Sequence, residues 1–156
     1  MRVAIDSDDA GIELKRILIE HLRSLGITVQ DLDMLGGRKV DYPDIGYNLA
    51  LRVSQKEFDR GILICGTGLG MSMIANKVAG VYAGVCHDVY SAERLRKSND
   101  AQIITMGARV IGPELAKTIV SAWLQSEFDG GRSASKVARM RQLEQLDRVR
   151  ATGAGQ

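Results

Sequence analysis

A cysteine followed by three glycines at alternate positions, Cys65-Gly66-Thr67-Gly68-Leu69-Gly70-Met71-Ser72, carries the clearest chemistry in this chain. Glycines at that density let the backbone turn tightly and aim several N–H groups at one spot. An apolar run over 62–64 leads in as a buried strand, and the run over 71–78 leads out as a helix whose N-terminus adds partial positive charge. The natural occupant is an anion, or an oxygen that becomes anionic during a reaction. A thiol at the mouth of such a nest serves as a base or a nucleophile. Cys65 is therefore read as functional, whereas Cys86, which lacks such neighbours, is read as core.

The same loop admits other readings. A dinucleotide fingerprint G-x-G-x-x-G starting at Gly66 needs glycine where Met71 stands, although Asp88, past the next strand, sits where a ribose-binding acid is wanted. No Gly-Lys-Ser/Thr follows, so it is no P-loop. Glycines that merely permit tight packing are the bland account. Asp6, Asp8 and Asp9 fit either a metal cluster or a helix cap with solvated charge, and no further group at ligand spacing favours metal. His87 follows a strand and is expected to face the cleft, with His21 on the surface. Arg132, Lys136 and Arg139 are either a solvated face or, for Arg132 and Lys136 one helical turn apart, a pair that holds a phosphate.

The elements that must position these groups alternate. Strands are expected over 2–5, 27–32, 61–65, 81–86 and 103–106. Helices are expected over 11–25, with Leu14, Ile17, Leu18, Leu22 and Leu25 on one face, over 42–54, over 91–97 capped by Ser91, and over 113–127. Asp8 or Asp9 is a candidate N-cap and Gly26 a C-cap stop for the first helix. The strands read as apolar runs, which predicts an α/β fold: a parallel sheet covered by helices on both faces. Ligands of such folds bind beyond the carboxyl ends of the strands, where Asp8, Cys65, His87 and the Met106-Gly107-Ala108-Arg109 run all fall. A last helix over 133–150 carries Val137, Met140, Leu143, Leu146 and Val149 every third residue, a narrow stripe suited to another helix, for instance on a second subunit. Residues 1–150 read as one domain and 151–156 as a flexible tail.

With 156 residues, 45% hydrophobic and 26% charged, the chain has material for a substantial core. Its formal net charge of +2 does not point to nucleic acid. No apolar run approaches a membrane span and the N-terminus reads as a strand, so a cytoplasmic location is expected. Two cysteines there are not expected to form a disulfide, and cannot alone make a zinc site.

The Cys65–Ser72 block with Ala75-Asn76-Lys77 resembles the family of type B ribose 5-phosphate isomerases and galactose 6-phosphate isomerases. Asp41-Tyr42-Pro43, Tyr90-Ser91-Ala92, Asn99-Asp100, Met106-Gly107-Ala108-Arg109 and Gly130-Gly131-Arg132 match in order, so the likeness covers nearly the whole chain. The resemblance implies a Rossmann-like three-layer α/β/α sandwich with a five-stranded parallel sheet. It also implies a homodimer or dimer of dimers with shared sites, and aldose–ketose isomerisation of a phosphorylated sugar without metal or cofactor. Cys65 would be the base, with Thr67 and Asn99, the latter from the partner subunit, completing the catalytic group. Amides from Gly66 to Ser72 would hold the enediolate. Asp8, Asp9, Tyr42, Gly66, Gly68, Gly70, Ser72, His87 and Ser98 would line the substrate, and Arg109, Arg132 and Lys136 would grip its phosphate.

Three positions depart from the family pattern. Asp9 and Ser98 stand where histidines are usual, and Lys136 stands for arginine, giving up bidentate geometry. Histidines at the Asp9 and Ser98 positions are associated with opening a cyclic sugar and with binding the phosphate end. Loss of the ring-opening histidine suits an open-chain substrate, since a tetrose 4-phosphate cannot close a five-membered ring. The expected substrate is therefore erythrulose 4-phosphate or erythrose 4-phosphate first, and ribose 5-phosphate second. The alternatives are a sugar-phosphate-binding protein with altered catalysis and, further off, a nucleotide-binding Rossmann protein.

Overall fold

A computed structural model describes residues 1–153. Five strands, β1 (Arg2–Ser7), β2 (Thr28–Asp31), β3 (Arg60–Cys65), β4 (Ala83–Val85) and β5 (Ile103–Gly107), form one sheet in the order β2-β1-β3-β5-β4, every pair parallel. Six α-helices alternate with them: α1 (Ile12–Ser24), α2 (Tyr42–Ser54), α3 (Leu69–Ala75), α4 (Val89–Lys97), α5 (Pro113–Gln125) and α6 (Gly131–Gly153). The predicted α/β/α sandwich is what forms.

Both faces of the sheet are covered, which is why the strands read as unbroken apolar runs. Val3, Ile5, Ile62, Ile64, Ile104 and Met106 point to one face, under Leu14, Leu18 and Leu22 of α1, Ala92 of α4 and Ile119, Val120 and Trp123 of α5. Ala4, Leu63, Cys65 and Ile103 point to the other, under Ile45, Leu49 and Val53 of α2 and Met71 and Ala75 of α3. Cys65 therefore ends β3 on the α2–α3 side. From β1 the chain crosses to β2 on one side of the sheet, and the later strands build out on the other. The β1/β3 junction is thus the topological switch point at which such sheets open a crevice.

Several boundaries differ from expectation for local reasons. The helix after the glycine loop starts at Leu69 and stops at Ala75, because Gly68 at φ 79° reverses the chain directly into it. Asp88, not Ser91, caps α4: its carboxylate accepts the Ser91 N–H at 2.7 Å. On α1, Leu25 is 49% exposed and Ile17 half-buried, while Lys15 and Ile19 turn inward. Lys15 is buried because Asp6, itself fully buried, and Asp31 accept from its ammonium at 3.3 and 2.7 Å. His21 is half-buried against the Ser121 hydroxyl rather than free on the surface. α6 begins two residues before, and runs three residues past, the expected 133–150. The expected tail thus shares 151–153 with the helix, and 154–156 lie outside the described residues.

Candidate active site

At the carboxyl end of the sheet the sulfur of Cys65 accepts the N–H of Gly68 at 3.0 Å. The Cys65 side chain is 6% exposed, the half-buried Gly66 and exposed Thr67 carrying the chain out towards solvent. The loop is held by backbone-to-backbone packing: a Cβ on Gly68 would stand 2.8 Å from the Met106 carbonyl carbon, and one on Gly107 2.7 Å from that of Thr67. Ala108 N–H and Arg109 N–H donate to the carbonyls of Cys65 and Gly66 at 2.8 and 3.1 Å, and the buried Thr105 hydroxyl donates to the Gly68 carbonyl at 2.9 Å.

The nest is smaller than the eight-residue block suggested. Gly68 N–H is taken by sulfur and Leu69 N–H by the Thr67 hydroxyl at 3.3 Å. Ser72 has both donors used within the chain: its N–H donates to the Gly68 carbonyl and its hydroxyl to the Ala83 carbonyl at 3.3 Å, because the helical turn aims it at β4. Gly70 and Met71 lie in the first turn of α3, where no intrahelical carbonyl is available; with the Gly66 and Thr67 amides, which find no acceptor among the described residues, they are the donors left for a ligand.

Asp8, Tyr42, Arg109 and His87 surround this loop. Asp8 N–H donates to the Ile64 carbonyl, while its Oδ1 accepts from Ala10 and Gly11 at 3.0 and 3.2 Å, capping the 3₁₀ turn Asp9–Gly11. Burial pushes the Asp8 carboxyl above the usual carboxylate range, the Asp9 charge adds to this, and the Gly11 and Ala10 amides and Arg109 oppose it. The Tyr42 ring lies on Gly70, where a Cβ would come within 2.5 Å of it. The Arg109 side chain lies over Gly66. Beside them a cleft of about 930 Å³ runs between α1 and the 33–42 segment, with Asp8, Asp9 and Tyr42 on its wall. His87 uses Nε2 to accept the Gly107 N–H at 2.9 Å, leaving Nδ1 for any other contact.

The remaining expected residues lie at the other end of the sheet. α4 runs back from the carboxyl end, so Ser98 and Asn99 fall between its last turn and the start of β5. Asp100, at φ 55°, holds that turn through Arg96 at 2.6 Å and Arg141 of α6 at 2.7 Å. Arg60, the first residue of β3, is buried against the Trp123 ring and pairs with Glu127 at 3.0 Å, so 127–131 and the start of α6 lie here too. Arg132 and Lys136 are exposed on the first turns of α6. Within one chain the structure thus gathers Cys65, Thr67, Asp8, Asp9, Tyr42 and Arg109, and separates them from Ser98, Asn99, Arg132 and Lys136.

Asp6, one of the three acids weighed as a metal cluster, turns inward to Lys15 and accepts the Met34 N–H at 3.2 Å. Among the described residues no group of three or more His, Cys, Asp or Glu is arranged to hold an ion. Sequence reading missed Thr105 and the structural use of Gly107 and His87. The Gly107-Ala108-Arg109 run after a strand was the available signal, since glycine there marks a close backbone approach.

A sequence profile described as Ribose/Galactose Isomerase matches residues 3–140. The chain is 51% identical over 148 residues to a protein of Listeria innocua named Ribose-5-P isomerase B, covering 95% of this chain and 100% of that one. It is 49% identical over 150 residues to the D-erythrulose-4-phosphate isomerase of Pectobacterium atrosepticum, covering 95% and 98%. The structure of ribose-5-phosphate isomerase B from Clostridium thermocellum superposes with a TM-score of 0.89 at 46% identity, covering 94% of this chain and 99% of that one.

Proposed function

Because the chain belongs to the ribose/galactose isomerase family and is an aldose–ketose sugar-phosphate isomerase, we propose that Cys65 is its base and a tetrose 4-phosphate its preferred substrate. Isomerisation moves one proton between adjacent carbons. Cys65 Sγ takes it from the carbon next to the carbonyl and the bonding pair forms the enediolate; the proton of the adjacent hydroxyl passes to the former carbonyl oxygen, and the same sulfur returns its proton to the former carbonyl carbon. Gly70 and Met71 N–H groups face the oxygen that gains charge, where each such donor is commonly worth about 3 kcal/mol in the transition state. Thr67 and Asp8 hold substrate hydroxyls, and Arg109 meets the phosphate.

The observation that carries this reading is the Cys65 sulfur paired with the Gly68 N–H at the β1/β3 crevice, with Asp8 and Arg109 beside it. The site is completed by a second copy of the chain, which brings Asn99 to the enediolate and Arg132 and Lys136 to the phosphate. The exposed apolar residues Met140, Leu143 and Leu146 of α6 support that second copy, since Val137 of the stripe is buried within the chain and they are not. A dimer or a pair of dimers both satisfy this.

Ser98 and Asp9 favour the open-chain tetrose, because neither supplies the imidazole associated with opening a ring. Ribose 5-phosphate is the second reading, favoured by the Listeria relative's name. A panel of tetrose, pentose and hexose phosphates decides: kcat/KM is expected to be highest for the tetrose pair. Fast turnover of ribose 5-phosphate with none of the tetroses would reject the ring argument, and ligand binding without any turnover would favour a binding protein.

A further inference from the structure

Where β4 gives way to α4, the ladder along β5 loses its neighbour one rung early. Cys86 N–H donates to the Thr105 carbonyl at 3.0 Å, and the next regular rung would take the Gly107 N–H to the Cys86 carbonyl. Instead Gly107 donates to the side chain of His87 at 2.9 Å. Gly107 is buried, so without that nitrogen its N–H would have no acceptor.

Gly107 begins the turn on which the glycine loop rests. It packs against the Thr67 backbone, Ala108 and Arg109 amides hold the Cys65 and Gly66 carbonyls, and the Val110 and Ile111 amides close on the Gly107 carbonyl at 2.9 and 3.2 Å. A shift of Gly107 therefore reaches the sulfur, the Gly68 N–H and the Arg109 side chain together.

We propose that His87 is a positioning residue: its bare Nε2 continues the sheet by one rung and fixes the 107–109 turn that sets Cys65 and Arg109. An accepting Nε2 requires the proton on Nδ1, so the bond also selects one neutral tautomer. Of the charged groups nearby, the Asp88 carboxylate is close enough to interact with the His87 ring, but no hydrogen bond joins them. Asp88, adjacent in the chain, is occupied in capping Ser91, and Arg109 lies over Gly66. The kinetic part of this proposal rests on the Cys65 reading; the tautomer does not.

Nitrogen-15 NMR of the unmodified protein at neutral pH reads the tautomer directly, with His87→Gln used to separate the two histidine signals. Nδ1 protonated and Nε2 bare is the expected result; a proton on Nε2 overturns the proposal. Kinetics supply the second reading. His87→Leu removes the acceptor at similar bulk and is expected to lower kcat/KM by about tenfold or more, because small displacements of reacting groups are costly. His87→Gln places an amide oxygen near the Nε2 position and should restore most of that loss. Equal loss in both variants, or none in either, overturns the positioning role. Should His87→Leu fail to fold, the tautomer still decides. Wild-type turnover in Cys65→Ala would defeat the base assignment while leaving the NMR result standing.

Discussion

The arginines at the two ends of the sheet are used in opposite ways. At the amino end Arg60, Arg96 and Arg141 are paired with Glu127 and Asp100, and the pairs tie β3, α4 and α6 together. At the carboxyl end Arg109 lies over a glycine, and among the described residues it has no ion-pair partner. Arg132 and Lys136 likewise have none, although they emerge beside the paired cluster. Cations committed to the fold, Lys15 included, are ion-paired within the chain. Those free to hold an anion are split between its two ends, as expected of a site assembled from two copies.

The largest break in this comparison is Cys65→Ala. Turnover should fall by about a thousandfold, the usual scale for losing a positioned base, with ligand affinity within a few-fold of wild type by calorimetry. Retained turnover would remove the sulfur from the chemistry. Next come the cations. Arg109→Met and Arg132→Met should each raise KM by roughly tenfold with an unchanged melting temperature, as expected for one charge-assisted phosphate contact. Arg96→Met should do the reverse, leaving Asp100 half-paired and lowering stability by about 1–2 kcal/mol, or roughly 3–6 °C, while KM stays put. If the two groups of substitutions behaved alike, the distinction between the ends would fail.

A smaller effect belongs to Asp9. Burial first, and the Asp9 charge second, raise the folded pKa of Asp8 above its unfolded value. The folded chain then binds that proton more tightly. This contribution favours folding below the ordinary carboxylate pKa and is lost as pH rises through the folded value. Asp9→Asn should therefore raise the melting temperature slightly at neutral pH, with the difference shrinking on acidification. It should also lower KM for the phosphorylated substrate. Melting curves from pH 3 to 7 test the sign. Smallest is the effect of alkylating Cys86, whose thiol burial pushes up to about 12. Its thiolate fraction at pH 8 is on the order of 10⁻⁴, so mass spectrometry should find it unlabelled by iodoacetamide.

The glycine loop was legible in the sequence because Cys65, the alternating glycines and the preceding apolar run are contiguous. Their chemistry follows from local backbone freedom. Lys15 was not, since it stands among apolar neighbours on α1 and only the fold brings Asp6 and Asp31 to it. Nor was the His87 bond to Gly107, twenty residues away, which exists because β4 ends one rung short beside β5. Nor was the Ser72 contact, for a related reason: membership in a motif does not fix which way a helical turn points, and here it points to Ala83. The role proposed for Asn99 rests on the resemblance alone, whereas Arg132 was also marked by its one-turn spacing from Lys136. That they sit at the far end of their own sheet is a consequence of strand direction.

Complementation between two inactive variants tests the shared site most directly. Cys65→Ala and Asn99→Ala chains, denatured together and refolded as an equal mixture, form mixed dimers in which one site lacks both residues and the other has both. Half of the dimers are mixed and each carries one intact site, so activity should return to about a quarter of wild type. No recovery above the separately refolded variants, with mixed dimers verified by mass, would contradict a site that draws Cys65 from one copy and Asn99 from the other.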